Sequence, residues 1–124
     1  MSRISELLNN HGVDLSWQEA AYQDFHEHPE LSGFESETAD RIQKYLERFD
    51  CEVIPNVGGY GILAVFRNGS TDPGAPVALM RADFDGLPVK EITGVPVAST
   101  PRRPHGLANF HVMHSCGHDA DVTA

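Results

Sequence analysis

Ala39-Asp-Arg-Ile-Gln-Lys-Tyr-Leu-Glu-Arg-Phe-Asp-Cys-Glu-Val53 decides the fold class, because the hydrophobic period changes inside it. Ala39, Ile42, Tyr45, Leu46 and Phe49 recur at helical spacing, with Lys44 and Arg48 toward the negative end of the helix dipole. Ser32 or Ser36 is the candidate cap. After Asp50 the pattern alternates: Cys51 and Val53 sit between polar neighbours and Val57 extends the set, the mark of a half-buried strand. A helix that gives way at once to strands is an α/β beginning.

Upstream, Ser16-Trp-Gln-Glu19 has the spacing of a capping box, and Trp17, Ala21 and Phe25 recur every four residues. This predicts a first helix from about Trp17 to His26, stopped by Pro29. Downstream, Gly58-Gly59-Tyr60-Gly61 turns the chain into the β-rich run Ile62–Phe66. It lacks the Lys-Ser/Thr ending of a phosphate loop and leads into a strand, so it reads as a turn. Asn68–Gly74 is a dense turn signal before Val77-Ala-Leu-Met80, expected as a third and more buried strand. From Gly86 to His114 neither period is sustained, which predicts a long functional loop. The expected architecture is α/β, two helices followed by at least three strands of a mixed sheet, with no internal repeat or interdomain linker.

A chain of 124 residues suffices for one ordinary domain. Nine Lys+Arg against eighteen Asp+Glu give a formal charge of −9, the opposite of the basic surface that nucleic acid or an anionic membrane requires. No apolar run is long enough to span a membrane, and the opening Met1–Glu6 has no signal-peptide block, so a cytoplasmic location is expected. Cys51 and Cys116 then read as a buried thiol and a candidate ligand, not as a disulfide. Of seven histidines, His105, His111, His114 and His118 cluster near the C-terminus.

Two constellations carry candidate chemistry. Arg81-Ala-Asp-Phe-Asp-Gly-Leu-Pro88 sets two carboxylates two residues apart where a strand runs out into a loop, the usual place for a site in an open α/β sheet. Side chains at i and i+2 of an extended segment project to one side, so Asp83 and Asp85 can meet one cation, one histidine or each other. The structural alternative uses one aspartate in a turn or cap and pairs the other with Arg81. In His114-Ser-Cys-Gly-His-Asp119, Cys116 and His118 offer a thiolate and an imidazole across a glycine, a donor pair for zinc and neighbouring divalent ions. Asp119 is a further ligand or the carboxylate that orients His118. Two donors do not make a closed structural zinc site, and no second pair stands at zinc-finger spacing. A nucleophilic Cys116 with His114 or His118 as base is the competing chemistry, disfavoured by the surrounding carboxylates.

His26-Glu-His-Pro-Glu-Leu31, Glu37-Thr38, Arg81-Ala-Asp-Phe-Asp-Gly-Leu-Pro88 and Met113-His-Ser-Cys-Gly-His-Asp119, in that order, resemble the M20 metallopeptidases, in the aminoacyl-amide amidohydrolase branch with hippurate and auxin-conjugate hydrolases. The resemblance implies that residues 1–124 are the N-terminal part of a zinc-peptidase-like catalytic domain, with the rest of that domain and an inserted dimerisation domain absent. It implies two divalent ions, manganese, zinc, cobalt or nickel, with Cys116 and His118 as ligands, Asp85 orienting the site, and Asp83 and Asp119 supporting it. For residues 1–124 alone, bound metal and no metal both stay open. The implied reaction is metal-dependent hydrolysis of an N-acyl amino acid or similar small amide. The general base falls outside the chain, so these residues alone are expected to be inactive, and a homodimer is expected only of the complete enzyme. The family commonly places histidine where this chain has Asp121. The alternatives are a non-catalytic truncated metal-binding or interaction module and a small cysteine hydrolase using Cys116.

Plainer readings cover the remainder. His26 and His28 read as helix-end histidines bonding terminal carbonyls. Trp17, Tyr22, Phe25 and Phe49 read as packing residues, and Arg102 and Arg103 as an exposed basic pair.

Overall fold

The computed structural model describes residues 15–67, 69–70, 72, 74–99, 103–105 and 108–124, with backbone only for 103–105 and 108–110. The readings of Met1–Glu6 and Arg102 lie outside the described residues, as do the side chains of Arg103 and His105. Helix α1 runs Ser16–Glu27, and two residues of the expected stripe are buried: Ala21 and Phe25 face the interior, and Phe25 packs on Tyr45 with ring centroids 5.7 Å apart, while Trp17 is half-buried. Trp17 meets Phe49 edge-on at 5.7 Å, so these aromatics do pack. The capping box does not form. Leu15 is the N-cap and makes no side-chain cap hydrogen bond, and Ser16 is already helical.

Helix α2 runs Ser36–Leu46, and neither Ser32 nor Ser36 is its N-cap. Its start is satisfied from outside. The buried Glu30 carboxylate accepts the Thr38 N–H at 2.6 Å and the Thr38 hydroxyl at 2.8 Å, taking one of the first-turn donors that the helix itself leaves orphaned. This contact joins the two motifs Pro-Glu-Leu and Glu-Thr. The helix stops at Leu46, so Phe49 lies beyond it, packed between Trp17 and Phe66.

Strands β1 (Glu52–Val57) and β2 (Gly61–Val65) form an antiparallel hairpin through the expected glycine turn, where Gly58 and Gly59 take φ of 68° and 123°. The register slips between Ile54 and Val57, leaving Pro55 and Asn56 in a bulge that accommodates a residue with no N–H to donate and one with φ of 61°. Val77–Met80 differs from expectation. It is not a strand, and Val77, Leu79 and Met80 are 95%, 85% and 90% exposed. An apolar run becomes a strand only by pairing, and no neighbour supplies a ladder to it among the described residues. With Ile42, Leu46, Leu63, Val65 and Val122 it lines an apolar groove of about 520 Å³. The expected long loop also contains structure, a short antiparallel hairpin of β3 (Arg103–His105) and β4 (Ala108–Phe110). The architecture is α/β, with two two-stranded antiparallel sheets among the described residues.

Isolated bridges bring the motifs together. Gly86 pairs parallel with Leu31, its N–H reaching the Glu30 carbonyl at 2.6 Å, and Leu87 pairs antiparallel with Met113. Gly86 allows this approach, since a Cβ there would lie 2.7 Å from Val112 Cγ1 and 3.0 Å from Pro29 Cβ. Helix α3 (His118–Thr123) packs on α1, where Gln18 Nε2 donates to the Thr123 carbonyl at 3.1 Å.

Candidate metal centre

The bridge between Leu87 and Met113 sets Asp85 beside the start of α3. His118 Nδ1 lies 2.8 Å from Asp85 Oδ1 and 2.9 Å from the Asp85 main-chain oxygen. Both partners only accept, so Nδ1 carries the hydrogen and Nε2 is the nitrogen left with a lone pair when the ring is neutral. That is the arrangement in which an imidazole serves as a metal ligand, its other nitrogen tied to a carboxylate. Burial disfavours the charged ring, but the Asp85 carbonyl and carboxylate outweigh it and hold the His118 pKa above its ordinary value. Asp83 does not join Asp85 on His118. Its Oδ1 pairs with Arg81 at 2.5 Å, as in the structural alternative, while Asp85 meets the histidine.

Cys116 is an exposed free thiol in the turn before α3. Gly117 at φ 79° is the N-cap of that helix, a left-handed conformation that glycine adopts without strain and that allows the tight bend between Cys116 and His118. His114 is buried, with Nδ1 3.2 Å from the Asp85 carbonyl oxygen and Nε2 without a hydrogen-bond partner. It is therefore not paired with Cys116 as a base. Burial lowers its pKa, aided by the nearby His26 and His118 and opposed by Asp119.

Asp119 does not orient His118. It is 2% exposed, and its carboxylate meets His26 Nδ1 at 2.6 Å and the Ala120 N–H at 3.0 Å, while Asp85 takes the place beside His118. His26 is accordingly more than a helix-end residue, unlike His28, whose Nδ1 does donate to the Asp24 carbonyl at 2.8 Å. The second His26 nitrogen reaches Glu91 Oε1 at 3.2 Å. Glu91 also receives the Thr93 hydroxyl and the Ser99 N–H, the latter at 2.6 Å. Burial alone would raise the Glu91 pKa, but these donors bring it down to about 2. Burial likewise works against a charged His26, and the two carboxylates reverse this and raise its pKa. Sequence reasoning missed Glu91 altogether, because no local pattern surrounds it.

The donors fit a divalent ion in part. A thiol, an imidazole in the correct tautomer and a supporting carboxylate are present, yet among the described residues no three His, Cys, Asp or Glu side chains converge closely enough to hold an ion.

No family model matches the chain. Hippurate hydrolase of Campylobacter jejuni is 33% identical over 124 residues, covering all of this chain and 28% of that protein. N-acetylcysteine deacetylase of Bacillus subtilis is 40% identical over 99 residues, 78% of this chain and 23% of the relative. Among solved structures, the Bacillus subtilis YXEP protein, described as a dinuclear metal-binding peptidase from the M20 family, superposes with a TM-score of 0.73 at 33% identity over 87% of this chain and 27% of its own. These relatives are named as hydrolases of small amides or peptides. In sequence and fold the chain is similar to M20-family proteins, and it spans about a quarter of the length of the curated relatives it matches. Among the described residues, no helix is long and apolar enough to cross a membrane.

Proposed function

We propose that this chain supplies the Cys116 and His118 ligands of a two-metal centre in an M20-type amidohydrolase acting on N-acyl amino acids or similar small amides. The observation that carries the reading is the pairing of His118 Nδ1 with Asp85 Oδ1 at 2.8 Å, which leaves Nε2 for an ion. Zinc, manganese, cobalt and nickel are the candidate ions; thiolate and imidazole suit zinc best, whereas manganese prefers oxygen donors. When bound, such ions supply Lewis acidity toward the amide carbonyl and lower the pKa of a water nucleophile. In this reading Asp85 fixes the His118 ring, Asp83 is held by Arg81 beside it, and Asp119 anchors α3 to α1 through His26. Hippurate and N-acetylcysteine are both N-acyl amino acids, which supports that substrate class. The reading places this activity in the cytoplasm.

The general base is assigned to no residue of this chain, and residues 1–124 correspond to the N-terminal part of the catalytic domain. The purified 124-residue chain is expected to take up Co²⁺ or Zn²⁺ in equilibrium dialysis, to lose that uptake in Cys116→Ser and His118→Ala, and to show no hydrolysis of hippurate. Uptake unchanged in Cys116→Ser would overturn the ligand assignment. Metal-dependent hydrolysis would overturn the placing of the base. A metal-binding module without turnover is the second reading, favoured by the incomplete donor set among the described residues.

A further inference from the structure

The inference rests on the metal-centre reading and concerns His114, to which that reading gives no task. The side chain is 5% exposed, and its Nδ1 donates to the Asp85 carbonyl oxygen at 3.2 Å. Its Nε2 is buried without a partner. A leucine would fill much of the same space without stranding a nitrogen, so what the imidazole alone contributes is the hydrogen given to Asp85. The same carbonyl oxygen accepts from His118 Nδ1 at 2.9 Å. The His114 carbonyl, in turn, accepts the Gly117 N–H at 3.1 Å, closing the turn that carries Cys116. One residue thus touches the supports of both ligands, through its ring for His118 and through its main chain for Cys116.

We propose that His114 is a positioning residue of the metal centre: its Nδ1–H fixes the Asp85 carbonyl that sets the ring orientation and tautomer of His118. It contacts neither ion nor substrate. The position of its donor matters, not the mere filling of its space.

His114→Asn and His114→Gln separate these roles, since the asparagine amide nitrogen reaches the Nδ1 position and the glutamine amide nitrogen the Nε2 position. The first readout is the tautomer of His118 in the metal-free 124-residue chain, from long-range proton–nitrogen correlations with ¹⁵N-labelled histidine at a pH where the rings are neutral. The second is Co²⁺ affinity, followed by the thiolate-to-cobalt charge-transfer absorption. Wild type and H114N are expected to hold His118 as the Nδ1–H tautomer and to bind Co²⁺ within a few-fold of each other. H114Q is expected to mix the tautomers and bind Co²⁺ about 10- to 100-fold more weakly. Equal behaviour of the two variants, whether both intact or both impaired, would overturn the positioning role. Absence of Co²⁺ binding in wild type, with the tautomer split intact, would instead overturn the metal-centre reading and leave the coupling of His114 to His118 standing.

Discussion

Glu91→Gln tests the buried charge that ties the loop after Pro88 to α1. The Glu91 side chain has no solvent exposure and binds Thr93, Ser99 and His26. Its pKa falls from 4.5 to about 2 because these donors outweigh the burial that would raise it. A carboxylate with a depressed folded pKa contributes stability that is fully present above its unfolded value and is lost as the pH falls through the folded one. At roughly 1.4 kcal/mol per pKa unit, this drop corresponds to about 3 kcal/mol. Glutamine keeps the volume and one acceptor and gives up the charge. Urea unfolding followed by circular dichroism at neutral pH should therefore show the variant less stable by up to about 3 kcal/mol, on the order of 10 °C in Tm for a domain of this size. The difference should shrink as the pH is lowered from 4.5 toward 2. A wild-type advantage that is absent at neutral pH, or constant across that acid range, would refute the reasoning.

Other perturbations probe separate parts of the fold. Glu30→Gln leaves the Thr38 N–H and hydroxyl with a weaker acceptor and should destabilise the chain by about 1–2 kcal/mol, read as a lower urea midpoint with an unchanged m-value. Gly117→Ala forces a Cβ into a left-handed conformation with open space around it, so the cost is backbone strain alone, about 1–2 kcal/mol. If α3 relaxes to relieve that strain, Cys116 and His118 separate, and Co²⁺ affinity in a titration should fall with stability. His26 has a raised pKa, so its contribution is present below the unfolded value and is lost as the pH rises through the folded one. His26→Gln should therefore narrow the stability gap to wild type as a urea titration series moves from acid to alkaline pH.

The elements that could be read in advance are those whose cause is local. α1 and α2 follow from stripes four and three residues apart, and the β1–β2 hairpin from glycines at positive φ. Val77–Met80 looked like a strand because its residues are apolar, but composition does not provide a pairing partner. The true cap of α2 was hidden because Glu30 sits eight residues before Thr38, outside any capping-box spacing. From the sequence His26 reads as a helix-end residue, because its partners, Glu91 and Asp119, are 65 and 93 residues away. The spacing of Asp83 and Asp85 points to one segment as a candidate site. It did not reveal that one carboxylate would pair with Arg81 and the other with His118, a division set by the Leu87–Met113 bridge.

X-ray absorption at the zinc edge, on the chain loaded with one equivalent of Zn²⁺, probes the ligand pair most directly. It should record one sulfur at about 2.3 Å and imidazole nitrogen at about 2.0–2.1 Å, with the sulfur contribution lost in Cys116→Ser. A shell of oxygen and nitrogen alone in the unmodified chain would contradict a centre built on Cys116 and His118.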